Sequence, residues 1–174
     1  MKYLVKFFVV TFFLLVCTHV FAEQKIVVLD LTYVLNNSKA GKGAQDFLKR
    51  SFNDNAKKFT EMEKELKKEE NDLLSKKTVL SKEEYTKKTD TLRKKVIDFQ
   101  SQRRTSIDKI STQRLESRET LIKKIRPILE TYIKENNISL VIEKKETHGG
   151  NPENDITSVI IEKLNKELPS LNLK

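Results

Sequence analysis

Apolar residues between positions 41 and 136 recur with the spacing of long, packed helices. In the first half of this segment an apolar residue returns every seven positions, which is the period of a coiled coil. The five positions are Phe52, Phe59, Leu66, Leu73 and Leu80. The companion position of the repeat begins with Leu48 but becomes polar at Asn55, Glu69 and Lys76. We therefore expect a helix that packs firmly at its root and weakly at its tip.

The second half of the segment follows a different apolar period. An apolar residue at every eleventh position fits best. An eleven-residue repeat favours a supercoil of the hand opposite to that of a heptad. One file is Phe99, Ile110, Leu121 and Tyr132, and the other is Val96, Ile107, Arg118 and Leu129. Folding the chain back near residue 80 would place Leu66 beside Val96 and Phe52 beside Ile107.

Sequence punctuation predicts where the two helices end. Residues 44–136 contain no Gly, and their only Pro is Pro127. Ser81 followed by Glu84 is a capping box, a signature of helix starts. The sequence thus predicts an antiparallel helical hairpin, here called the arm, over 41–136, with helices at 43–77 and 82–136 and a tip near 78–81. Pro127 removes one backbone donor, which predicts a bend at about 123–126.

The two ends of the chain predict a small β-containing body, over 23–40 and 137–174. The apolar runs 25–31 and 138–143 are typical of strands buried on both faces. Residues 32–37 fit one or two helical turns, 38–43 fit a turn, and 144–154 fit a polar loop. Asn136 and Asn137 would end the second long helix, and Asp155 would cap a short last helix. The predicted fold class is α+β, mainly α, with the arm projecting from this body.

Two strands alone are barely stable in water, and their edges would be open to other chains. We therefore expect the body to oligomerise, with strands from several protomers in one sheet or barrel. The residues expected to form this oligomeric body are Ile26, Val28, Leu140, Val141, Ile142, Ile156, Val159 and Ile160.

The first 22 residues have the pattern of a cleaved secretory signal peptide. Lys2 and Lys6 precede an apolar run at 7–16, and Ala22 closes a segment that suits a signal peptidase. Ten apolar residues are too few to span a bilayer. A lipobox ending at Cys17 is a weaker alternative, because Val16 stands where a small residue is expected. Cleavage after Ala22 would remove Cys17, the only cysteine.

Positive charge is concentrated at the tip of the arm. Residues 75–104 hold 10 basic and 4 acidic side chains, a net charge of +6. An exported protein is a poor candidate for binding nucleic acid, so anionic lipid or an acidic protein segment is the expected partner. The alternative is that each lysine is simply solvated. The five lysines assigned to the basic tip are Lys76, Lys77, Lys82, Lys87 and Lys88.

The sequence gives no pattern for an enzyme, a metal site or a cofactor site. After cleavage His148 is the only histidine, and it lies in the polar loop. No His/Cys/Asp cluster has the spacing of metal ligands, and no Ser lies in a nucleophile-elbow motif. The Asp and Glu residues alternate with Lys along the helices, as i, i+4 partners do.

The chain resembles the Skp/OmpH family of periplasmic chaperones over residues 24–167. The resemblance rests on ordered segments at both ends and at the tip. They are 25–31 (KIVVLDL), 34–36 (VLN), 41–44 (GKGA), 81–84 (SKEE), 138–143 (ISLVIE) and 155–157 (DIT). One departure is the polar segment 144–154, where family members usually have a third apolar strand.

The resemblance implies a homotrimer whose barrel-like body carries three arms around a cavity. Such a protein holds unfolded outer-membrane proteins in the periplasm without ATP. It implies no cofactor, and lipopolysaccharide becomes a further candidate ligand. The runner-up function is a coiled-coil spacer or adaptor that docks a fixed partner.

Apolar residues on the arm are candidates for weak, multiple contacts with clients. The candidates are Met62, Leu74, Val79, Tyr85, Leu92, Val96 and Phe99. For Met62, Leu92, Val96 and Phe99, packing between the two helices is the favoured interpretation. Leu74 and Val79 lie off the predicted seam and are the stronger candidates.

Overall fold

Two short parallel strands join the ends of the chain, and the whole arm is the connection between them. The computed structural model describes residues 24–173. Strand β1 (Lys25–Leu29) pairs with β2 (Ile138–Glu143), with Ile26 opposite Leu140 and Val28 opposite Ile142. The helices are α1 (Leu31–Asn37), α2 (Lys39–Ser75), α3 (Lys82–Glu135) and α4 (Thr157–Glu167). The predicted fold class, mainly α with a small sheet, is confirmed.

The arm is formed by α2 and α3. At 1.5 Å per residue, α2 is about 55 Å long and α3 about 80 Å. The Ser81 hydroxyl accepts the amide of Glu84, and the Glu84 carboxylate accepts the amide of Ser81, so the predicted capping box is present. Helix α3 ends at Glu135, and Asn137 turns the chain into β2 with a left-handed φ of 51°.

The predicted turn at 38–43 is wrong, because this segment is the first turn of α2. Buried Ser38 ends α1 and begins α2, and its hydroxyl accepts the Gly41 amide at 3.1 Å. A Cβ built on Gly41 would lie 1.8 Å from the Leu35 carbonyl oxygen. Gly41 therefore allows α2 to pack closely on α1, and it does not mark a loop.

The hydrophobic core lies where the root of the arm meets the sheet. One face of the sheet contributes Val27 and Leu29, α3 contributes Leu121, Ile125 and Ile128, and α4 contributes Ile160 and Leu164. The last third of α3 is thus part of the body. The helix continues through Pro127, and the bend expected there stays a prediction.

The sheet is covered on one face only, which corrects the expectation that both strands are buried on both faces. Ile26 is 42% exposed and Leu140 is 52% exposed, and they lie opposite each other on the open face. Strand β1 also ends at Leu29 and not at Leu31, because the Asp30 side chain accepts the Tyr33 amide and caps α1. A single chain leaves this small apolar surface uncovered.

Residues 144–154 form two short 3₁₀ turns, Lys144–Glu146 and Pro152–Asn154, where the family usually has a third strand. One isolated parallel bridge joins Val28 to Asp155, and the Ile156 amide donates to the Val28 carbonyl at 3.0 Å. The signal-peptide prediction, with Cys17, falls outside the described residues. The division into body and arm stays a prediction.

Candidate functional site

The interior of the arm is closed by aromatic packing near its middle. The rings of Phe59 and Phe99 are in edge-to-face contact, with centroids 6.0 Å apart and planes at 73°. Both side chains are buried, as is Ile110 nearer the root. Toward the tip the seam residues Leu66, Leu73 and Leu80 are only half-buried. The predicted weakening toward the tip is visible in this burial, but the predicted firm packing at the root is not, because Phe52 is 58% exposed there.

One ion pair bridges the weaker, distal part of the seam. The Lys95 ammonium lies 2.6 Å and 2.7 Å from the two carboxylate oxygens of Glu69. Both side chains are about half exposed, so this pair contributes little stability. Glu69 occupies the companion position of the heptad, at a point where that position is polar.

The predicted client contacts fall into two groups. Leu74, at 55%, and Val79, at 81%, are among the exposed large apolar side chains. Met62, Tyr85 and Leu92 are half-buried along the seam, and Val96 lies at its margin. Phe99 is enclosed by the contact with Phe59. Phe99 thus packs in the seam, as the favoured interpretation had it, and a client could reach it only if the helices separated.

Four other exposed apolar residues of the arm were not among the predicted contacts. They are Phe52, Ile97, Ile107 and Leu115. Phe52 and Ile107 were assigned to the seam, and the structure leaves both more than half exposed. Both line a groove of about 180 Å³ between the helices, beside the Phe59 and Phe99 rings. Ile97 and Leu115 are eighteen positions apart, which is five helical turns, so one face of α3 presents both. This eighteen-residue spacing is the sequence signal that could have identified the exposed apolar face.

The predicted basic tip is solvent-exposed. Within residues 24–173, none of Lys76, Lys77, Lys82, Lys87 and Lys88 forms a salt bridge, and all five are exposed. Lys76, Lys87 and Lys88 border a cleft of about 550 Å³ at the end of the arm. Side-chain and backbone hydrogen bonds with Ser81 lower the pKa of Glu84, and the charge of Lys88 acts in the same direction.

A second, larger groove lies at the root of the arm, where α1, α2 and α3 meet. We call it the root groove; its volume is about 680 Å³, and its lining includes Leu35, Leu48, Phe52, Arg114 and Arg118. It is separate from the tip and from the open face of the sheet. Sequence reasoning did not find it, because its residues come from three distant segments.

The body residues predicted for oligomerisation also divide by burial. Ile156 and Ile160 are buried in the chain's own core, and Val141 packs against that core. Val28 and Ile142 are half-buried, while Ile26, Leu140 and Val159 are exposed. A second chain could therefore contact Ile26 and Leu140 directly, whereas Ile156 and Ile160 support the body from within.

Asp30, Lys144, Asp155 and Thr157 form a polar cluster, here called the clasp. It connects the start of α4 to the residue after β1 and to the loop that follows β2. Thr157 accepts the Asp30 amide through its hydroxyl at 2.9 Å, and Asp155 accepts the Thr157 amide at 2.9 Å. The other Asp155 carboxylate oxygen lies 2.7 Å from the Lys144 ammonium. Burial alone would raise the pKa of Asp155, but the hydrogen bonds from Lys144 and Thr157 outweigh it and lower that pKa. The same pair raises the pKa of Lys144.

Residues 24–173 lack two further kinds of feature. No group of three or more His, Cys, Asp or Glu side chains is arranged to hold a metal ion. In the same range, no helix has the length and apolar character needed to cross a membrane.

The fold therefore defines a class of proteins in which a long helical hairpin projects from a small α/β body. A family model described as outer membrane protein (OmpH-like) matches residues 25–164. The chain belongs to the OmpH-like family, and the family resemblance seen in the sequence is confirmed.

Solved structures include a similar chain from Caulobacter crescentus CB15, described as a candidate outer membrane chaperone (OmpH-like). The TM-score is 0.80 at 17% identity, and the match covers 90% of this chain and 93% of that one. At this identity the match shows a shared fold. No curated protein sequence matches this chain significantly.

Proposed function

We propose that this protein is an ATP-independent periplasmic chaperone that holds unfolded outer-membrane β-barrel proteins soluble until they reach the outer membrane. The observation that carries the proposal is the arm itself. It is long and cationic, within residues 24–173 its tertiary partners lie at its root, and its apolar side chains include Leu74 and Val79 in solvent. Family membership supports the chaperone role in general.

The contacts that the arm offers are individually weak. Exposed apolar residues are spread along both helices, and burying each large side chain contributes at most about 1.5–3 kcal/mol. Several such contacts add to useful avidity when one chain carries them all. The resulting surface is suited to clients of varied sequence, which an unfolded barrel protein presents.

A homotrimer is part of the proposal. The open face of the sheet, with Ile26 and Leu140 exposed, gives each chain an apolar surface to cover. The edge of β2 away from β1 has no strand partner within residues 24–173. Three copies that share their strands would cover these surfaces and would place three arms around one client.

Anionic lipid or lipopolysaccharide is proposed as a further partner of the tip. Five exposed lysines without salt bridges within residues 24–173 create a local positive field. Exposed charges act over about 8 Å at physiological salt. The tip would therefore act at short range, on a membrane surface or on an acidic client segment.

The experiment that tests the proposal is a solubility assay. A denatured outer-membrane barrel protein is diluted into buffer with the mature protein, and light scattering follows aggregation. We expect suppression without ATP, and weaker suppression by the Leu74→Gln/Val79→Gln variant. The matched control is Asn71→Gln/Thr78→Gln, which changes exposed polar residues beside them. Aggregation that proceeds unchanged with the wild-type protein would favour a spacer or adaptor.

A further inference from the structure

The root groove has an apolar floor that is already buried. Leu35 of α1, Leu48 of α2 and Leu121 of α3 line it, and all three are buried by their neighbours. Its volume of about 680 Å³ lies within the usual range of ligand sites. The groove therefore offers a preformed surface, fixed by three helices that also form the core of the body.

The rim of the root groove is positively charged. Arg114 and Arg118 lie four residues apart on α3, so they share a face and are about 6 Å apart along the helix axis. Lys49 adds a third cation from α2, and Asp46 is the carboxylate in the lining. Three cations against one carboxylate give a net charge of +2. None of the four forms a salt bridge within residues 24–173.

An exposed aromatic side chain stands beside this charged rim. Phe52 lines the groove and is 58% exposed, although the heptad assigned it to the seam. On the α1 side, the Gln45 amide donates to the Asn36 side-chain oxygen at 3.0 Å, which gives that wall a polar surface. The groove thus combines a cationic pair, one aromatic surface and one polar wall above an apolar floor.

We propose that the root groove binds short acidic–apolar segments of the unfolded client, with a carboxylate at Arg114 and Arg118 and a large apolar side chain against Phe52. The guanidinium groups suit a carboxylate because Arg can bind it through two parallel hydrogen bonds. An acyl chain would need an uninterrupted apolar channel, whereas Arg114, Arg118 and Lys49 place three cations along this apolar floor. The inference rests on the proposed function and assigns to the client a second contact, separate from the arm.

A pair of peptides tests the inference. Each is short, labelled and extended, with alternating Leu and Ser residues; one carries a central Asp and the other an Asn at the same position. Fluorescence anisotropy with the mature wild-type protein should show the Asp peptide binding about tenfold more tightly than the Asn peptide. This difference corresponds to about 1.4 kcal/mol of binding free energy. The Arg114→Gln/Arg118→Gln variant should lose this preference, and Phe52→Ala should weaken both peptides.

The matched control is Arg104→Gln/Lys109→Gln, which removes the same charge from exposed positions of α3 outside the groove. This control should keep the preference for Asp. Equal binding of the two peptides to wild type would overturn the proposal, as would equal loss of the preference in both double variants. Binding of oleate that is lost in the Arg114→Gln/Arg118→Gln variant, with no binding of either peptide, would assign the groove to lipid and also overturn the proposal.

Two outcomes separate this inference from the proposed function. If wild-type protein keeps the denatured barrel protein soluble but does not distinguish the peptides, the groove proposal fails and the chaperone proposal stands. If the peptides are distinguished through Arg114 and Arg118 while the barrel protein still aggregates, the groove proposal stands and the chaperone proposal fails. A change in oligomeric mass in the Arg114→Gln/Arg118→Gln variant would make the groove an interface between copies, which overturns the groove proposal.

Discussion

The rings of Phe59 and Phe99 are in edge-to-face contact across the arm, with centroids 6.0 Å apart. They lie forty residues apart in sequence, one on each long helix. Root-ward of them the seam includes buried Ile110, and tip-ward of them the seam residues are half-buried. Tip-ward of this contact the seam is looser, whereas root-ward of it buried Ile110 lies among the exposed side chains of Phe52 and Ile107.

Phe99→Ala should therefore loosen the arm without unfolding the body. Removing a buried Phe typically costs about 3–5 kcal/mol, and we expect about 2 kcal/mol here because only two helices enclose the ring. Hydrogen exchange should quicken at amides near 59 and 99, while those of α4 keep their protection. Phe52→Ala, at an exposed position of α2, is the control and should change exchange little. Equal protection of the arm in both variants would contradict this account.

The two glycines at the start of α2 should respond in opposite ways to alanine. Gly41→Ala forces a Cβ against the Leu35 carbonyl oxygen, and we expect a loss of about 3 kcal/mol of unfolding free energy. Gly43→Ala meets no atom within 4 Å and should gain about 1 kcal/mol from helix propensity. Urea denaturation of both variants measures the difference. A Gly41→Ala protein as stable as Gly43→Ala would show that α1 and α2 pack less closely than described.

The clasp at Asp155 predicts a dependence of stability on pH. The pKa of Asp155 is lower in the folded protein than in the unfolded chain, where it is about 3.9. The carboxylate therefore stabilises the fold above that value, and the contribution is lost as the pH falls through the folded pKa. Asp155→Asn should be less stable than wild type at pH 7, and the gap should shrink below about pH 4.

A double-mutant cycle identifies the partner of that carboxylate. Lys144→Gln, like Asp155→Asn, should lower the stability at pH 7 and leave less stability to be lost at acidic pH. The reason is that the Lys144 ammonium lies 2.7 Å from the Asp155 carboxylate. The two substitutions together should cost less than the sum of their separate effects. Strict additivity at pH 7 would mean that the pair makes no contribution to folding.

The basic tip should govern the rate of capture more than the final affinity. Replacing Lys76, Lys77, Lys82, Lys87 and Lys88 by Gln should slow association with an unfolded barrel protein and with anionic vesicles, most at low salt. The oligomeric state should not change, because the body contains none of these residues. Stopped-flow fluorescence at two salt concentrations makes the measurement. If the variant captures both targets as fast as wild type at low salt, the lysines of the tip contribute only to solubility.

The long-range plan of this fold could be predicted because its signals are local and repeated. The capping box at Ser81, the breaks at Asn136 and Asn137, and the apolar run of β2 each specify a boundary through nearby residues. Their positions agree with the structure to within one residue. The order of the elements follows from the same signals, and the family resemblance rests on that order.

The errors arose where contacts between distant segments decide the outcome. Ser38–Gly43 has the composition of a turn, yet Asn165 of α4 accepts the Lys39 amide at 2.7 Å and helps to begin a helix there. Phe52 fits the same heptad position as buried Phe59, but at the root of the arm its side chain is 58% exposed. The root groove is lined by residues of α1, α2 and α3 together. No single stretch of the sequence could therefore predict it.

The central claim is tested most directly by the mass of the mature protein in solution, measured alone and with a denatured outer-membrane barrel protein. The account predicts three protomers alone and three protomers around one client in the complex. Leu140→Lys, on the open face of the sheet, should lower the mass toward one protomer while leaving the helix content unchanged. A wild-type protein that stays monomeric, or that forms no complex with the client, would contradict the account.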